Sequence, residues 1–526
     1  MLLCACCFTG TPHQDGLPTA CRCGAPQTLA AYRRIETDLS RRELIGGAAA
    51  VVGMFAGFGL APSRAQTGEP GRPLLLTNLR LFDGQELSIR DDVDILIENG
   101  VISALPPKGQ GPAEATRLDC GGRVAMPGLI DCHWHSTLVS VSQVTALTGD
   151  IAYVHLLAAR EAGATLLRGF TTVRDVGGPA FALKRAIDEG VVAGPRIFPS
   201  GALVSQTSGH GDFRMLNDLP RADRDPLSYP DRVGVTAIAD GVDEVLRRVR
   251  EQLMRGASQI KMMAGGGVSS AYDPLDSTQF TEAELRAGVD AASDWGTYVC
   301  VHVYTPKGIQ RAIRAGVRCI EHGQLADEET IAMMADEGIW WSLQPFLTDE
   351  DANVYADPRM RADQQRVSEG TVGAYAMARE LGVRSVFGTD VLMSPGNAAS
   401  QGRQLAKLTR FMSPLEALRA ATGRAGELLA MSGERNPYRA PVGVVAPGAL
   451  ADLLVVDGEP ETDLSFLGTP DTSLRLIMKG GEGVPLQPVA REGRIQVRRV
   501  SSGGPGARTC CGFLHTRRPA PRSFPD

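Results

Sequence analysis

His133-Trp134-His135 sets two imidazoles two residues apart, and in an extended strand such residues share one face while Cys132 and Trp134 turn to the other. Two rings so placed can chelate one metal ion, although structural histidines produce the same pattern. The chain has only eight histidines, and five of them (His133, His135, His210, His302 and His322) fall at the ends of strand-like runs or in the loops beyond. His302 and His322 are candidates for holding a second ion. Lys261 lies in Gln259-Ile260-Lys261-Met262-Met263, an uncharged context in which a bare ammonium is costly to bury. One reading is a lysine paired with a carboxylate. The other is a neutral lysine that has added carbon dioxide, giving a carbamate whose two oxygens can bridge two cations, and the surrounding ligand types favour it.

Asp390, in Phe387-Gly388-Thr389-Asp390, adds an oxygen anion to the imidazoles, a donor set suited to zinc or a similar borderline metal. A lone aspartate at a strand end often does no more than cap the next helix. In this company a second role opens, taking a proton from an attacking water and passing it to a departing amine. A bound metal lowers the pKa of water from about 15.7 towards about 7, which makes hydroxide available at neutral pH.

Residues this far apart need a scaffold that gathers them. From residue 126 to 435 apolar runs alternate with helical segments, the pattern of a parallel sheet wrapped in helices. Candidate strands cover residues 129–135, 171–175, 196–200, 259–263, 298–304, 318–322, 339–344 and 385–390, the eight needed to close a barrel. Helices are expected at 242–255, with Val245, Leu246, Val249 and Leu253 on one face, and at 281–293, opened by a capping box of Thr281 and Glu284. His135, Asp175, Lys261, His302, His322 and Asp390 sit at or near the C-terminal ends of their strands, the face on which barrel enzymes assemble their sites. Residues 73–125, with Asp-Gly and Asn-Gly turns, and 436–482 are strand-rich, so the two flanks of the barrel are expected to form one small β-sandwich. The expected fold is thus α/β, a (β/α)8 TIM-like barrel with a sandwich made from both ends of the mature chain.

A formal net charge of -6 gives no electrostatic reason to expect nucleic acid, and small-molecule chemistry is the better expectation. Cys120, Cys132, Cys300 and Cys319 lack the short spacings of zinc knuckles or redox motifs and read as buried small hydrophobes. Residues 1–65 read as an N-terminal extension and twin-arginine signal: Ser40-Arg41-Arg42-Glu43-Leu44-Ile45, an uncharged stretch, then Ser63-Arg64-Ala65. A membrane anchor is the alternative, but the glycines and small-residue exit favour cleavage, export to the bacterial periplasm and no stable membrane association afterwards. Residues 483–526, rich in Arg, Pro, Gly and Ser, are expected to be largely disordered.

Taken in order, Met126-Pro127-Gly128-Leu129-Ile130-Asp131-Cys132-His133-Trp134-His135, Lys261, His302, Ile320-Glu321-His322-Gly323 and Gly388-Thr389-Asp390 resemble the amidohydrolase superfamily over residues 73–480. The resemblance implies that His133, His135 and Asp390 hold one divalent ion, that His302 and His322 hold the other, and that carbamylated Lys261 bridges them. Zinc is expected, with cobalt, manganese and iron open. A narrower resemblance rests on Gln206-Thr207-Ser208-Gly209-His210-Gly211-Asp212 and on Lys261-Met262-Met263-Ala264-Gly265-Gly266-Gly267-Val268, which are similar to the branch of Xaa-Pro and related dipeptidases, carboxypeptidase-like members and ochratoxin-hydrolysing amidases. It implies that His210 and Tyr304 touch the substrate, either polarising the scissile carbonyl or holding a free carboxylate. Trp134 and Val303 depart from the commonest patterns without replacing a ligand. Homo-oligomers are expected by analogy.

The implied activity is hydrolysis of an amide or peptide bond in a dipeptide, N-acyl amino acid or ochratoxin-like amide, by a metal-bridging hydroxide with Asp390 as proton shuttle. Hydrolysis of a cyclic amide or lactone and deamination are alternatives on the same scaffold, although deaminase-like branches generally lack the bridging lysine. A catalytically inactive relative would be expected to have lost ligands, and none is missing here. The polar stretches 212–234 and 346–373 read as loops forming a pocket lid, with plain surface excursions as the alternative.

Overall fold

The computed structural model describes residues 72–484 except 222–224 and 270–271. The signal read in residues 1–65 and the tail beyond residue 484 lie outside the described residues. Strands β1 (Leu74–Leu81), β2 (Ile95–Glu98), β3 (Val101–Ala104) and β4 (Thr116–Pro127) join β15 (Leu453–Val456), β16 (Leu474–Lys479) and β17 (Glu482–Gly483) in one sheet, ordered β17-β16-β15-β4-β1-β2-β3. The expected contribution from both flanks is therefore seen in the pairing of β4 with β15, Leu453 opposite Pro127. The sheet folds back on itself where Ile102 N–H donates to the Ala449 carbonyl and Ala451 N–H to that of Gly100. Between its faces lie Leu76, Leu79, Ile95, Ile102, Leu453 and Val455, all buried. Asn99 and Gly100, with φ of 52° and 79°, make the tight turn between β2 and β3 that the Asn-Gly pair signals.

The barrel strands are β5 (Leu129–Trp134), β6 (Phe170–Asp175), β7 (Arg196–Pro199), β10 (Ile260–Met263), β11 (Val299–Val303), β12 (Cys319–His322), β13 (Trp340–Ser342) and β14 (Ser385–Val386). They pair in parallel as two arcs, β5-β6-β7 and β10 to β14, and the arcs meet at two seams. At one, Cys132 N–H donates to the Phe387 carbonyl and Asp390 N–H to that of His133, each at 2.9 Å. At the other, Ser258 N–H donates to the Pro199 carbonyl at 2.7 Å, and Gln259 Nε2 donates to the carbonyls of Phe198 and Asp175. The fold is a (β/α)8 barrel with a β-sandwich. The helix Val242–Met254 buries Val245, Val249 and Leu253, while Glu282–Asp294 carries the expected capping box, with Thr281 and Glu284 each accepting from the other's backbone. Among the described residues no helix is long and apolar enough to cross a membrane.

Four expectations are revised. The third barrel strand does not stop at Ser200 but resumes as β8 (Leu203–Ser205), which pairs with β10 through Val204 and with a further short strand, β9 (Thr236–Ile238). The last strand is only two residues long, and residues 387–390 follow it outside the ladder, held by the first seam and turning left-handed at Asp390. Residues 346–373 are not one loop: from Pro358 the chain forms the 23-residue helix Pro358–Glu380, because Asp357 caps it through Arg359 N–H and Met360 N–H and Pro358 occupies the first turn. Residues 212–234 likewise contain the helix Tyr229–Val233.

Barrel and sandwich are fastened by Arg196 of β7, whose Nε and Nη2 meet the two oxygens of buried Asp452 at 2.7 and 3.0 Å. Asp452 also accepts from Gly480 N–H. Replacing Asp452 with alanine strands a largely buried guanidinium, and chemical denaturation should show a loss of about 3 kcal/mol. A loss under about 0.5 kcal/mol would show that the fastening does not matter.

Candidate metal centre

The site begins at the first seam. Asp131, fully buried on β5, accepts His133 N–H at 3.0 Å and Thr389 N–H at 3.1 Å with Oδ1, and the Thr389 hydroxyl at 2.8 Å and Gln401 Nε2 at 3.0 Å with Oδ2. One carboxylate thus ties the end of β5 to the segment after β14 and sets Asp390 beside His133. The approach requires glycine at 388, since a Cβ there would lie 2.5 Å from that of His133.

Second partners orient the rings. His133 Nδ1 donates to Glu321 Oε2 at 2.7 Å, and Glu321 Oε1 accepts Arg174 Nη2 at 2.5 Å, with all three side chains buried. His135 Nδ1 donates to the Gly177 carbonyl at 2.9 Å. Both rings therefore present Nε2 to the cavity, at 3.2 and 3.3 Å from Asp390 Oδ1. This is how metal-ligating histidines are held. His302 donates from Nε2 to the Gly266 carbonyl at 3.1 Å, which leaves Nδ1 free. His322 has φ of 72°, an uncommon conformation for a side chain of this size, and its buried Nδ1 has no hydrogen-bond partner among the described residues. That nitrogen lies 3.9 Å from Asp390 Oδ2, and the donor atoms of His133, His322 and Asp390 all fall within 4.8 Å of one another.

The electrostatics suit a cation. Burial, reinforced by the proximity of His210, His322 and Lys261, holds His302 well below the ordinary imidazole range. Burial does the same to His322. Both rings are neutral, as ligands must be. Burial pushes the Asp390 carboxyl up, but His133, His135 and His322 outweigh it and hold it well below the usual carboxylate range. For Glu321 burial is likewise outweighed, by Arg174 and His133, so it too stays ionised. Lys261 on β10 is 2% exposed and makes no hydrogen bond or ion pair among the described residues, so the carboxylate partner weighed from sequence is not there. An orphaned imidazole nitrogen, an unpaired buried lysine and converging Nε2 atoms fit a divalent metal centre.

His133, His135, His210, Lys261, His302, Tyr304, His322 and Asp390 all line one cavity of about 450 Å³. The His210 ring stacks on His302 at 4.0 Å between centroids, and Tyr304 stacks on His322 at 5.1 Å. Phe346, Tyr355, Met360 and Val367 line the outer wall, and Phe213 comes from the other polar stretch. Asp175 is not among the lining residues: its carboxylate accepts Ser136 N–H and Gly177 N–H, and burial pushes it up to about 6. Sequence reasoning gave no role to Asp131, Arg174 or Glu321. The signal available was a charge inside a run destined for burial, as in Ile320-Glu321-His322.

Residues 124–483 match the sequence profile of the amidohydrolase family. The chain belongs to this family. It is 32% identical over 374 residues to ochratoxinase from Aspergillus niger, covering 68% of this chain and 75% of that protein. Among solved structures, a prolidase complexed with N-methylphosphonate-L-proline is 34% identical with a TM-score of 0.72, covering 79% of this chain and 100% of the other. A Xaa-Pro dipeptidase with bound methionine is 29% identical with a TM-score of 0.67, covering 78% and 99%. The suspected branch is thereby supported, and this amidohydrolase is an enzyme that hydrolyses C–N bonds.

Glu321→Gln keeps the shape but removes the charge behind His133, and affinity for a divalent metal, measured by competition with a chelator, should fall by roughly 10- to 100-fold. Because the folded protein holds Glu321 below its ordinary 4.5, its stabilising contribution is complete above that pH and is lost as pH falls through the lower, folded value. The stability difference between wild type and variant should therefore be constant above about pH 4.5 and shrink in stronger acid; a difference that grew on acidification would contradict the assignment.

Proposed function

We propose that this protein hydrolyses the amide bond of a small substrate, a dipeptide, an N-acyl amino acid or an ochratoxin-like amide, at a centre for two divalent ions, zinc by donor type. The observation that carries the reading is the convergence of four imidazoles, Lys261 and Asp390 on one cavity, with the buried His322 Nδ1 unpartnered among the described residues. His133, His135 and Asp390 would hold one ion, His302 and His322 the other, and Lys261, as a carbamate, would bridge the pair. Bound ions would supply a water acidified towards a pKa of about 7 and an electrophile for the carbonyl oxygen.

The chain's own groups do the rest. Asp390, held ionised by its histidine neighbours, takes the water's proton and delivers it to the departing nitrogen. Burial pushes the Tyr304 hydroxyl far above its ordinary range, so it stays protonated and can donate to a substrate oxygen. His210 faces the same space. The likeness to a prolidase complex and to ochratoxinase supports an amide with a carboxylate-bearing product. The twin-arginine reading of residues 1–65 supports a periplasmic location for the mature enzyme.

Purified protein should carry about two zinc ions per chain and hydrolyse members of a panel of N-acyl amino acids and dipeptides; a single ion with deaminase activity instead would overturn the proposal. Asp390→Asn should keep most of its metal while kcat falls by roughly 10² to 10⁴-fold. Lys261→Ala should lose both metal and rate, with partial recovery in short carboxylic acids. Full metal and full rate in that variant would remove the bridge.

A further inference from the structure

His210 is held by a side chain outside the cavity wall. Asp273, 2% exposed, accepts His210 Nδ1 at 3.0 Å through Oδ2, and the same oxygen accepts Gly267 N–H at 3.0 Å and Gln279 Nε2 at 3.3 Å. Gln279 in turn accepts His210 N–H through Oε1 at 2.8 Å, so backbone and ring are gripped together. The ring lies almost parallel to His302, 12° between planes. On Gly267 a Cβ would sit 1.9 Å from His210 Cε1, so glycine leaves the space the ring fills. Neither ordinary core packing nor a surface ion pair accounts for three segments converging on one imidazole at a cavity wall.

We propose that Asp273 is the positioning residue for His210: by fixing Nδ1–H it commits Nε2 to the cavity as the ring atom that meets the substrate. A ring free to flip would present Nδ1 or carbon to the same spot and lose the contact. Buried carboxylates that orient an imidazole through Nδ1 act in this way without touching the reacting atoms. The inference rests on the amidase reading of the cavity, and it adds a residue that the sequence motifs around His210 do not contain.

A double-mutant cycle tests it. With His210 present, Asp273→Ala should lower kcat/KM for the best amide of the panel about tenfold, with zinc content unchanged. In a His210→Ala background the same change should cost less than about twofold, because the residue it positions is gone. Equal losses in both backgrounds would mean that Asp273 merely supports the loop, and would overturn the proposal. A second cycle covers poor folding of the Asp273 variant: Gly267→Ala should be harmful beside His210 and tolerated beside His210→Ala, and equal harm in both would count against the ring's placement. Nitrogen-15 labelling of the eight histidines supplies a readout that needs no turnover. One hydrogen-bonded Nδ1 proton should vanish both in His210→Ala and in Asp273→Ala. Its persistence in Asp273→Ala would refute the pairing. A wild-type enzyme inactive on every amide would sink the amidase reading while this spectrum still decided the pairing.

Discussion

Everything at the catalytic end of the barrel depends on how β5 meets the segment after β14. Asp131 takes hydrogen bonds from His133 N–H, from both Thr389 donors and from Gln401, and in doing so it closes the cylinder and builds the metal centre in one act. Burial pushes the Asp131 carboxyl up, a desolvation cost that those four donors offset in part. A barrel can be closed by backbone pairing alone. Here the closing residue is also the one that places Asp390 within reach of two imidazoles, so stability and site geometry cannot drift apart independently.

Charge is arranged with the same economy. Two carboxylates, Glu321 and Asp390, stand on opposite sides of His133, one against its Nδ1 and the other against its Nε2. The inner one is neutralised by Arg174, which is fully buried and also donates from Nε to the Cys132 carbonyl. Among the described residues the outer one pairs with histidines and with no arginine or lysine, so its charge is available to a cation. A buried ion pair is weak evidence of net stability, because desolvation consumes most of its attraction. Its value at this position is directional: it fixes which nitrogen of His133 looks outward.

The sequence was informative where polar residues interrupt apolar runs. His133, His135, His302 and His322 stand at or just past the ends of such runs, Asp390 follows the last one by four residues and Lys261 interrupts its run near the start, and the strands concerned are those seen in the fold. It was silent where short elements carry no period: β8 and β9 are three residues each, too brief for alternation to register. The helix Pro358–Glu380 was hidden by its polarity, although Asp357-Pro358 is a legible start signal. Glu321 and Arg174 each read as an anomalous buried charge, but nothing in a linear chain says that they are each other's partner. The left-handed backbone at His322 and Asp390, which aims both ligands, is only weakly marked in residue type: His and Asp adopt it more often than other side chains, yet most of them do not.

The sandwich has a consequence for biosynthesis. Its middle strand, β4, waits for β15, a neighbour encoded about 300 residues later, so the ribosome must deliver nearly the whole barrel before the sheet gains its inner pairing. Until then the apolar side chains of Val124 and Met126, buried in the finished protein, lack that cover. A nascent chain of this design completes its fold late and all together, with its final strands acting as the clasp.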